Sequence, residues 1–305
     1  MARVTILMAI CRPGPELAEQ LASLAAQTHR DWRLIVSDDG SDAAARDLLA
    51  DFATTGHDVA VFDGPRRGAG ANFHSLLLRA RELGAQGYLA FSDQDDVWLP
   101  EKLERAVAAL DGQGGPALYC SRTFVTRADL SDPRPSAPRP RPLGFRNALV
   151  QNVAAGNTIV LNPASAALVV EAAAESEAIH KHDWWIYQLL SGIGATLIHD
   201  DRPSLYYRQH AGNAEGANLS LGAKLDRLRR LRRGEWRDWT GRALAALEPA
   251  RHRMTPENRA LLDAFVAMRD APLPGRLTQF ARLRLYRQSR AGTVALWIAT
   301  LFRLI

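Results

Sequence analysis

The chain has 305 residues, of which 47% are apolar and 23% charged, a composition that excludes an intrinsically disordered protein because it can supply a sizeable core. It has two cysteines, Cys11 and Cys120, and no C-x-x-C or Cys/His cluster, so neither a disulfide framework nor a zinc site is expected. The net charge of +5 is uneven: residues 222–305 carry 18 Lys and Arg against 7 Asp and Glu, which would suit an anionic membrane, a nucleic acid or a phosphorylated substrate.

The apolar segments near the two ends of the chain are short. The run at 4–10 is one strand long and lacks a cleavage-site pattern, so a signal peptide is not expected. The run at 294–302 is too short to span a bilayer. With the low cysteine content, these features favour a reducing, cytoplasmic setting.

Apolar runs alternate with helix-like stretches through the first third of the chain, which predicts a parallel α/β sheet. Ligands of such sheets bind outside the carboxyl ends of the strands, so polar clusters that directly follow strands are candidate sites. The predicted strands are 4–10, 32–37, 59–62 and 88–92, and the predicted helices are 16–27, 43–53, 72–83 and 101–110.

Further along, the composition changes several times. A strand is predicted at 117–125, and the proline-dense segment 132–142 is expected to form an exposed, extended loop. Globular character resumes at 145–207, with a helix-like stretch at 172–178. From residue 221 the chain becomes Arg-rich and helix-like.

The first acidic cluster, residues 37–41, follows the second predicted strand. Carboxylates there, Asp38 and Asp39, could accept hydrogen bonds from a nucleobase or a ribose. The alternative, which these residues alone support at least as well, is a strand-to-helix turn in which Ser41 or Asp42 caps the next helix.

The second cluster follows the predicted strand 88–92 and contains Asp93, Asp95 and Asp96. Three carboxylates within four residues repel one another unless a cation or solvent screens them, and Mg²⁺ or Mn²⁺ is held by carboxylate and phosphate oxygens. The alternative is a solvated acidic turn. A metal site is favoured because the cluster emerges from a buried strand.

Two further segments carry candidate groups. Asp183 precedes Trp184 and Trp185, and desolvation among aromatic rings would make its carboxylate a better general base; equally, the two indoles could be core anchors and Asp183 a helix cap. Downstream, Arg208 could pair with phosphate and His210 could complete a metal shell, although a lone histidine is more often structural.

The combination and order of these segments resembles glycosyltransferase family 2, which has the GT-A fold, and within it the bacterial rhamnosyltransferase-like branch. The likeness spans about residues 3–217. It rests on residues 4–8, 37–41 and 92–103, on Gly68, Asn72 and Phe73, and on Gln151, Asn152, 156–158, 182–185, 207–210 and 212–213.

The resemblance implies a Rossmann-like, doubly wound, mostly parallel sheet with a helical C-terminal appendage. The implied catalytic domain is 1–217, with a nucleotide-sugar half at about 1–115 and an acceptor half at about 116–217. A basic helical region would follow at 218–305.

The resemblance also implies roles in binding the donor. Asp39 would contact the base or ribose, and Asp38 and Asp93 would belong to the same nucleotide site. Gly68 and Asn72 would line the nucleotide pocket. The implied donor is a nucleoside diphosphate sugar, linked to dTDP or UDP.

For catalysis, the resemblance implies that Asp183 is the base that deprotonates the acceptor hydroxyl for in-line attack, with inversion and no covalent intermediate. Trp184, Trp185 and Arg208 would form the acceptor and phosphate region. The implied cofactor is Mg²⁺ or Mn²⁺, and its implied ligands are Asp93, Asp95, Asp96 and His210.

Two departures from the family pattern refine the expectation. The loop 9–14 lacks the polar pair often found after the first strand, which puts base recognition by that loop in doubt. The Q-x-x-R-W signature of processive synthases is absent, so we expect addition of single sugars, in particular rhamnose, to a glycan or lipid-linked glycan in bacterial surface polysaccharide synthesis.

Other functions remain open at this point. A sugar-phosphate nucleotidyltransferase would need a Gly-rich basic loop after the first strand, of which residues 12–15 are a poor version. A nucleotide or nucleic-acid binding module would leave the acidic clusters unexplained, so no nucleic-acid partner is expected. The basic segment 224–237 and the apolar end 296–302 either dock peripherally on the inner face of the membrane or pack on the catalytic domain.

Overall fold

The computed structural model describes residues 3–84, 86–209 and 235–305. Nine strands within these ranges form one mixed sheet in the order β3-β2-β1-β4-β8-β6-β9-β5, with β7 paired to β6. The strands are β1 Val4–Ile10, β2 Trp32–Asp38, β3 Asp58–Asp63, β4 Tyr88–Ser92, β5 Val97–Trp98, β6 Ala117–Arg127, β7 Arg134–Pro135, β8 Val160–Leu161 and β9 Thr196–Gln209.

Strands β1 to β4 are mutually parallel; β1, β2 and β4 are buried on both faces, whereas β3 at the sheet edge is partly exposed. In β1, Leu7 faces one hydrophobic core while Ile6 and Met8 face the other. Because both faces are buried, the strand reads as a continuous apolar run. Beyond β4 the sheet is mixed, since β8 is antiparallel to both β4 and β6 whereas β9 is parallel to β6.

Helices cover the two faces, and four of those in the described ranges begin at a residue whose side chain accepts a backbone N–H of the first turn. Asn162, for example, accepts a hydrogen bond from the backbone N–H of Ser165 at the start of α6. The helices are α1 Glu16–Ala25, α2 Ala43–Thr54, α3 Ala69–Glu82, α4 Lys102–Leu110, α5 Phe145–Ala148, α6 Pro163–Glu175, α7 His182–Gly192, α8 Glu235–Leu247, α9 Pro256–Asp270, α10 Leu273–Leu283 and α11 Arg290–Leu301.

The predicted parallel α/β sheet is confirmed, and the predicted strands agree closely with those observed. Helix α3 begins three residues earlier than predicted because Gly68, with a φ of +86°, forms its N-cap. Helix α6 covers 163–175 rather than 172–178, since its cap lies at Asn162. The proline-dense loop is mostly exposed, and its residues Arg134–Pro135 pair with β6.

The described part of the C-terminal region, residues 235–305, is helical and packs on the sheet domain. The indole N–H of Trp185 donates to the carbonyl of Ala246 at 3.0 Å, and the hydroxyl of Ser176 donates to the same carbonyl at 3.1 Å. The amide of Asn258 donates to the carbonyls of Ser191 and Gly192. The apolar residues of α8 to α11 join one hydrophobic core with those of α6 and α7.

No helix in the described ranges combines the length and apolar character that a bilayer-spanning segment requires.

We predict that the C-terminal helices and the sheet domain unfold together. Phe265 in α9 is fully buried in the core that also contains Trp185, so Phe265→Ala should lower the free energy of unfolding by about 3–5 kcal/mol. Urea denaturation followed by circular dichroism should show one transition at a lower midpoint. The adjacent Val266→Ala is the control, because Val266 is exposed. A separate early transition confined to part of the helical signal would contradict this prediction.

Candidate active site

The site lies at the carboxyl ends of β1, β2 and β4, where three chain segments are tied together. The side-chain amide of Asn72 donates to the carbonyls of Ile10 at 3.2 Å and Ser37 at 3.1 Å. It thereby links the ends of β1 and β2. Asn72 is only 2% exposed, so it supports the predicted nucleotide pocket from beneath. A Cβ on Gly68 would meet no atom within 4 Å, which leaves open space where the pocket was predicted.

Asp38 and Asp39 have different environments although they are adjacent. Both oxygens of Asp38 are engaged, by the backbone N–H groups of Gly40 and Ser41 and by the guanidinium of Arg46. Burial raises the pKa of Asp38, but these hydrogen bonds outweigh it and hold the pKa below its usual value. The prediction that Asp38 binds the donor is therefore corrected: its carboxylate stabilises the strand-to-helix turn.

Asp39 is held at the mouth of the site by the chain that follows β3. Its carboxylate accepts a hydrogen bond from the backbone N–H of Arg66 at 2.8 Å. A Cβ on Gly64 would lie 2.3 Å from the same carboxylate oxygen, so the approach requires glycine. The turn alternative is also correct for Asp42, which caps α2 by accepting from Ala45.

Asp93 and Asp95 lie together after β4 and are partly exposed. Burial, together with the negative charges of Asp95 and Asp183, raises the pKa of Asp93 to about 7. The structure thus brings Asp183, some ninety residues away in sequence, close enough to repel the carboxylate of Asp93. Like charges gathered in this way favour either protonation or a bound cation.

The carboxylate of Asp96 points into the protein. It is fully buried and accepts a hydrogen bond from the side-chain amide of Asn157 at 2.6 Å. Burial raises its pKa well above the usual value, and the charges of Asp93 and Asp95 add to this. The predicted assignment of Asp96 as a metal ligand is corrected, because its carboxylate is enclosed by protein.

A buried lysine accompanies Asp96. Lys102 lies 3.4 Å from the ring centre of Trp98, and burial lowers its pKa to about 7 although the charge of Asp96 opposes the shift. The indole N–H and the backbone of Trp98 face α1, where Ser23 accepts the backbone N–H of Trp98 at 3.0 Å. These contacts fix the acidic loop against α1.

Asp183 lies in the first turn of α7, where the helix dipole favours negative charge. Its Oδ2 accepts a hydrogen bond from the side-chain amide of Asn152 at 2.7 Å, which orients the carboxylate. The neighbouring His182 stacks on Phe73, with ring centres 3.7 Å apart. Burial lowers the pKa of His182 to about 4, so its imidazole is neutral at neutral pH.

Three residues predicted for the acceptor region lie inside the protein. The indole of Trp184 donates to the carbonyl of Ala148 at 2.7 Å, and Trp185 bonds to the C-terminal helices as described above. Arg208 is 4% exposed and donates to the carbonyl of Ala128 and to Glu19 of α1. The prediction is corrected: the two indoles anchor α7, and Arg208 joins β9 to α1. His210 lies outside the described residues.

Three amide side chains complete the site, and none of them had a predicted role. Gln94, between the two carboxylates, accepts from the backbone N–H of Cys11 at 2.7 Å and donates to the Cys11 carbonyl at 3.4 Å. It thereby couples the acidic loop to the loop after β1. Asn152 and Asn157 orient Asp183 and Asp96. An amide inside an acidic cluster was the one signal that could have singled out Gln94.

Among the residues described, no three His, Cys, Asp or Glu side chains are grouped as a metal would require. Asp93, Asp95 and Asp183 are the partly exposed carboxylates of the site, and carboxylate oxygens are hard ligands of the kind that Mg²⁺ and Mn²⁺ prefer. Their mutual repulsion fits a site that receives positive charge. A cation there would need further oxygen ligands, which a diphosphate provides.

Comparison with known proteins agrees with this geometry. The family model described as "Glycosyl transferase family 2" matches residues 5–173. A protein named dTDP-rhamnosyl transferase RfbG, from Shigella flexneri, is 26% identical over 231 residues, covering 72% of this chain and 77% of that protein. The Escherichia coli protein named UDP-Glc:alpha-D-GlcNAc-diphosphoundecaprenol beta-1,3-glucosyltransferase WfgD is 25% identical over 107 residues, or 35% of this chain and 40% of that protein.

Solved structures support the same fold. Residues 1–349 of S. aureus TarS, in complex with UDP-GlcNAc, superpose with a TM-score of 0.56 at 11% identity, covering 92% of this chain and 80% of that one. A longer TarS chain gives a TM-score of 0.51 at 14% identity, and the match spans 54% of its length. Since the family model covers more than half of the sequence, the chain belongs to glycosyl transferase family 2 and is a glycosyltransferase with the GT-A fold.

Proposed function

We propose that the protein transfers one sugar per reaction from a nucleoside diphosphate sugar to a hydroxyl of a glycan or lipid-linked glycan, with inversion at the anomeric carbon. The observation that carries the proposal is the convergence of Asp93 and Asp95, after β4, with Asp183, at the start of α7. Asp93 and Asp95 would bind the leaving diphosphate through a divalent cation, while Asp183 would accept the proton of the acceptor hydroxyl.

On the donor side, Asp39 at the mouth of the crevice would accept hydrogen bonds from the base or ribose, and the open space beside Gly68 would receive the nucleotide. Asp93 would contact the donor, and Asp95 with Asp93 would hold Mg²⁺ or Mn²⁺. A divalent cation bound there would neutralise negative charge on the leaving diphosphate. The loop that carries these carboxylates is held rigid by Gln94 and Asp96.

On the acceptor side, Asp183 would take the proton from the attacking hydroxyl. Asn152 supports this role because its amide donates to Oδ2 of Asp183 at 2.7 Å, and the backbone N–H of Trp184 donates to Oδ1 at 2.7 Å. The two bonds orient the carboxylate, and each oxygen keeps a further acceptor position for the proton. The adjacent imidazole of His182 is a poor alternative base, since it stacks on Phe73 inside the protein. No covalent sugar–enzyme intermediate is required.

The relatives favour particular substrates. The name dTDP-rhamnosyl transferase for the Shigella protein favours a dTDP sugar, with rhamnose first, whereas the E. coli protein is named for UDP-Glc and a diphosphoundecaprenol acceptor. Acceptors of that chemistry belong to bacterial surface polysaccharide synthesis. Family membership sets aside the nucleic-acid binding and nucleotidyltransferase alternatives.

Substitutions should distinguish the carboxylate that accepts the proton from the carboxylates that bind the donor. Asp183→Asn should lower kcat roughly 10²–10⁴-fold and leave nucleoside diphosphate binding unchanged, because only proton transfer is lost. Asp95→Ala should weaken metal-dependent nucleotide binding as well. Sugar transfer from a panel of dTDP and UDP sugars, and calorimetric Kd values, measure the two effects. Asp51→Asn, an exposed carboxylate of α2, is the control. Near-normal turnover by Asp183→Asn would exclude it as the base.

The buried imidazole of His182 predicts a pH dependence of stability. Because the folded pKa of about 4 lies below the ordinary value of 6.5, the unfolded chain takes up a proton first as the pH falls. Stability should therefore decrease between about pH 6.5 and pH 4, with about 2 kcal/mol lost at about pH 5 from this group. His182→Gln should lose that much less on acidification. Urea denaturation of both proteins at each pH is the measurement, and equal losses would refute the assignment.

A further inference from the structure

Helix α11, Arg290–Leu301, is apolar around its whole circumference. Its inner face is buried, with Leu296 and Ala299 fully enclosed and Thr300 beside them. The ring of Trp297 meets Phe280 of α10 edge-on, with ring centres 4.6 Å apart. A helix that is apolar all round is normally buried on every side, so its second face needs an explanation.

The outer face of α11 is exposed. Its members recur at positions i, i+3, i+4, i+7 and i+8 from Val294, which places them on one side of a helix. They make up five of the nine exposed large apolar side chains in the described ranges, so the patch is concentrated rather than scattered. The exposed fractions are Val294 59%, Trp297 40%, Ile298 51%, Leu301 42% and Phe302 64%.

The charge around this face has a single sign. Residues 271–305 contain six arginines and no aspartate or glutamate. Arg290 lies one helical turn before Val294, on the same side as the apolar patch, and Arg282, Arg284 and Arg303 are also exposed. The nearest preceding carboxylate, Asp270, pairs with Arg237 at 2.8 Å and with Arg303 at 3.5 Å, so the border charge rests mainly on Arg282, Arg284 and Arg290. The patch is therefore apolar with a cationic border.

We propose that this outer face of α11 docks on an anionic lipid bilayer. Apolar side chains that include Trp and Phe, beside arginines, are typical of helices that lie in the membrane interface, and each Arg near an anionic surface adds to the attraction. A second copy of this chain fits less well, because a symmetric contact would bring two sets of arginines together, and the nearby Asp270 is already shared by Arg237 and Arg303.

The docking face is joined to the wall of the active site. Just before α11, the backbone N–H of Gln288 donates to the side chain of Gln151 at 2.8 Å, and the carbonyl of Tyr286 accepts from Asn147 at 3.0 Å. Gln151 directly precedes Asn152, the residue that orients Asp183. A bilayer on α11 would thus lie beside the acceptor side of the site, whichever sugar is transferred.

Vesicle co-sedimentation of the full chain tests the proposal. Vesicles of equimolar phosphatidylglycerol and phosphatidylcholine should bind the protein at low ionic strength, and pure phosphatidylcholine should bind it much less. The double variant Ile298→Ser/Phe302→Ser should weaken the apparent affinity about tenfold or more, because both side chains are exposed apolar area. Arg282→Gln/Arg290→Gln should weaken the binding to anionic vesicles and reduce its dependence on salt.

The matched control is Val61→Ser/Leu83→Ser, which removes two apolar side chains of similar exposure from the sheet domain and should bind like the wild type. Circular dichroism of each variant checks folding, and light scattering reports the oligomeric state. The proposal is overturned if the wild-type protein does not bind anionic vesicles, or if the Ile298→Ser/Phe302→Ser variant binds them as well as the wild type does. It is also overturned if the wild type is a dimer that does not bind vesicles and the variant is a monomer.

Discussion

The repulsion among three carboxylates, Asp93, Asp95 and Asp183, is the constraint on which the rest of the site depends. They come from two distant segments, and burial together with the charges of Asp95 and Asp183 raises the pKa of Asp93. What holds them is a set of amide hydrogen bonds from Gln94 and Asn152. A site that maintains such repulsion is prepared for the opposite charge, which a divalent cation would bring.

The supports of this cluster are more deeply buried than the cluster itself. Asp96 and Lys102 lie in the interior beneath the acidic loop, and Asn72 ties two strand ends together under the pocket. Burial raises the pKa of Asp96 and lowers that of Lys102, which disfavours the charged form of each. Enclosed polar groups of this kind are costly, so their presence is consistent with fixing one loop conformation. Because this loop is fixed, the partly exposed carboxylates of Asp93 and Asp95 are held near the start of α7.

Much of the fold could be predicted from the sequence because strands buried on both faces are continuous apolar runs, and polar clusters mark their carboxyl ends. The individual side chains could not, since neighbours in a loop or helix point in different directions. Asp38 and Asp39 are both buried, but Asp38 bonds within its own turn whereas Asp39 accepts from Arg66. Asp96 is enclosed whereas Asp95 is partly exposed. For Trp184 and Trp185 the core-anchor alternative was the correct one. The C-terminal region was predicted either to dock on a membrane or to pack on the catalytic domain. Helix α11 packs against the protein with one face and leaves its other face exposed.

The central claim is that the carboxylates after β4 bind a nucleoside diphosphate through a divalent cation. Isothermal titration calorimetry of the wild-type protein with dTDP and UDP, each with Mn²⁺ and again with a chelator, tests it most directly. We expect one of the two diphosphates to bind in the presence of Mn²⁺ and its affinity to fall about tenfold or more when the metal is removed. If neither diphosphate binds, or if the chelator leaves the affinity unchanged, the account of the donor site is wrong.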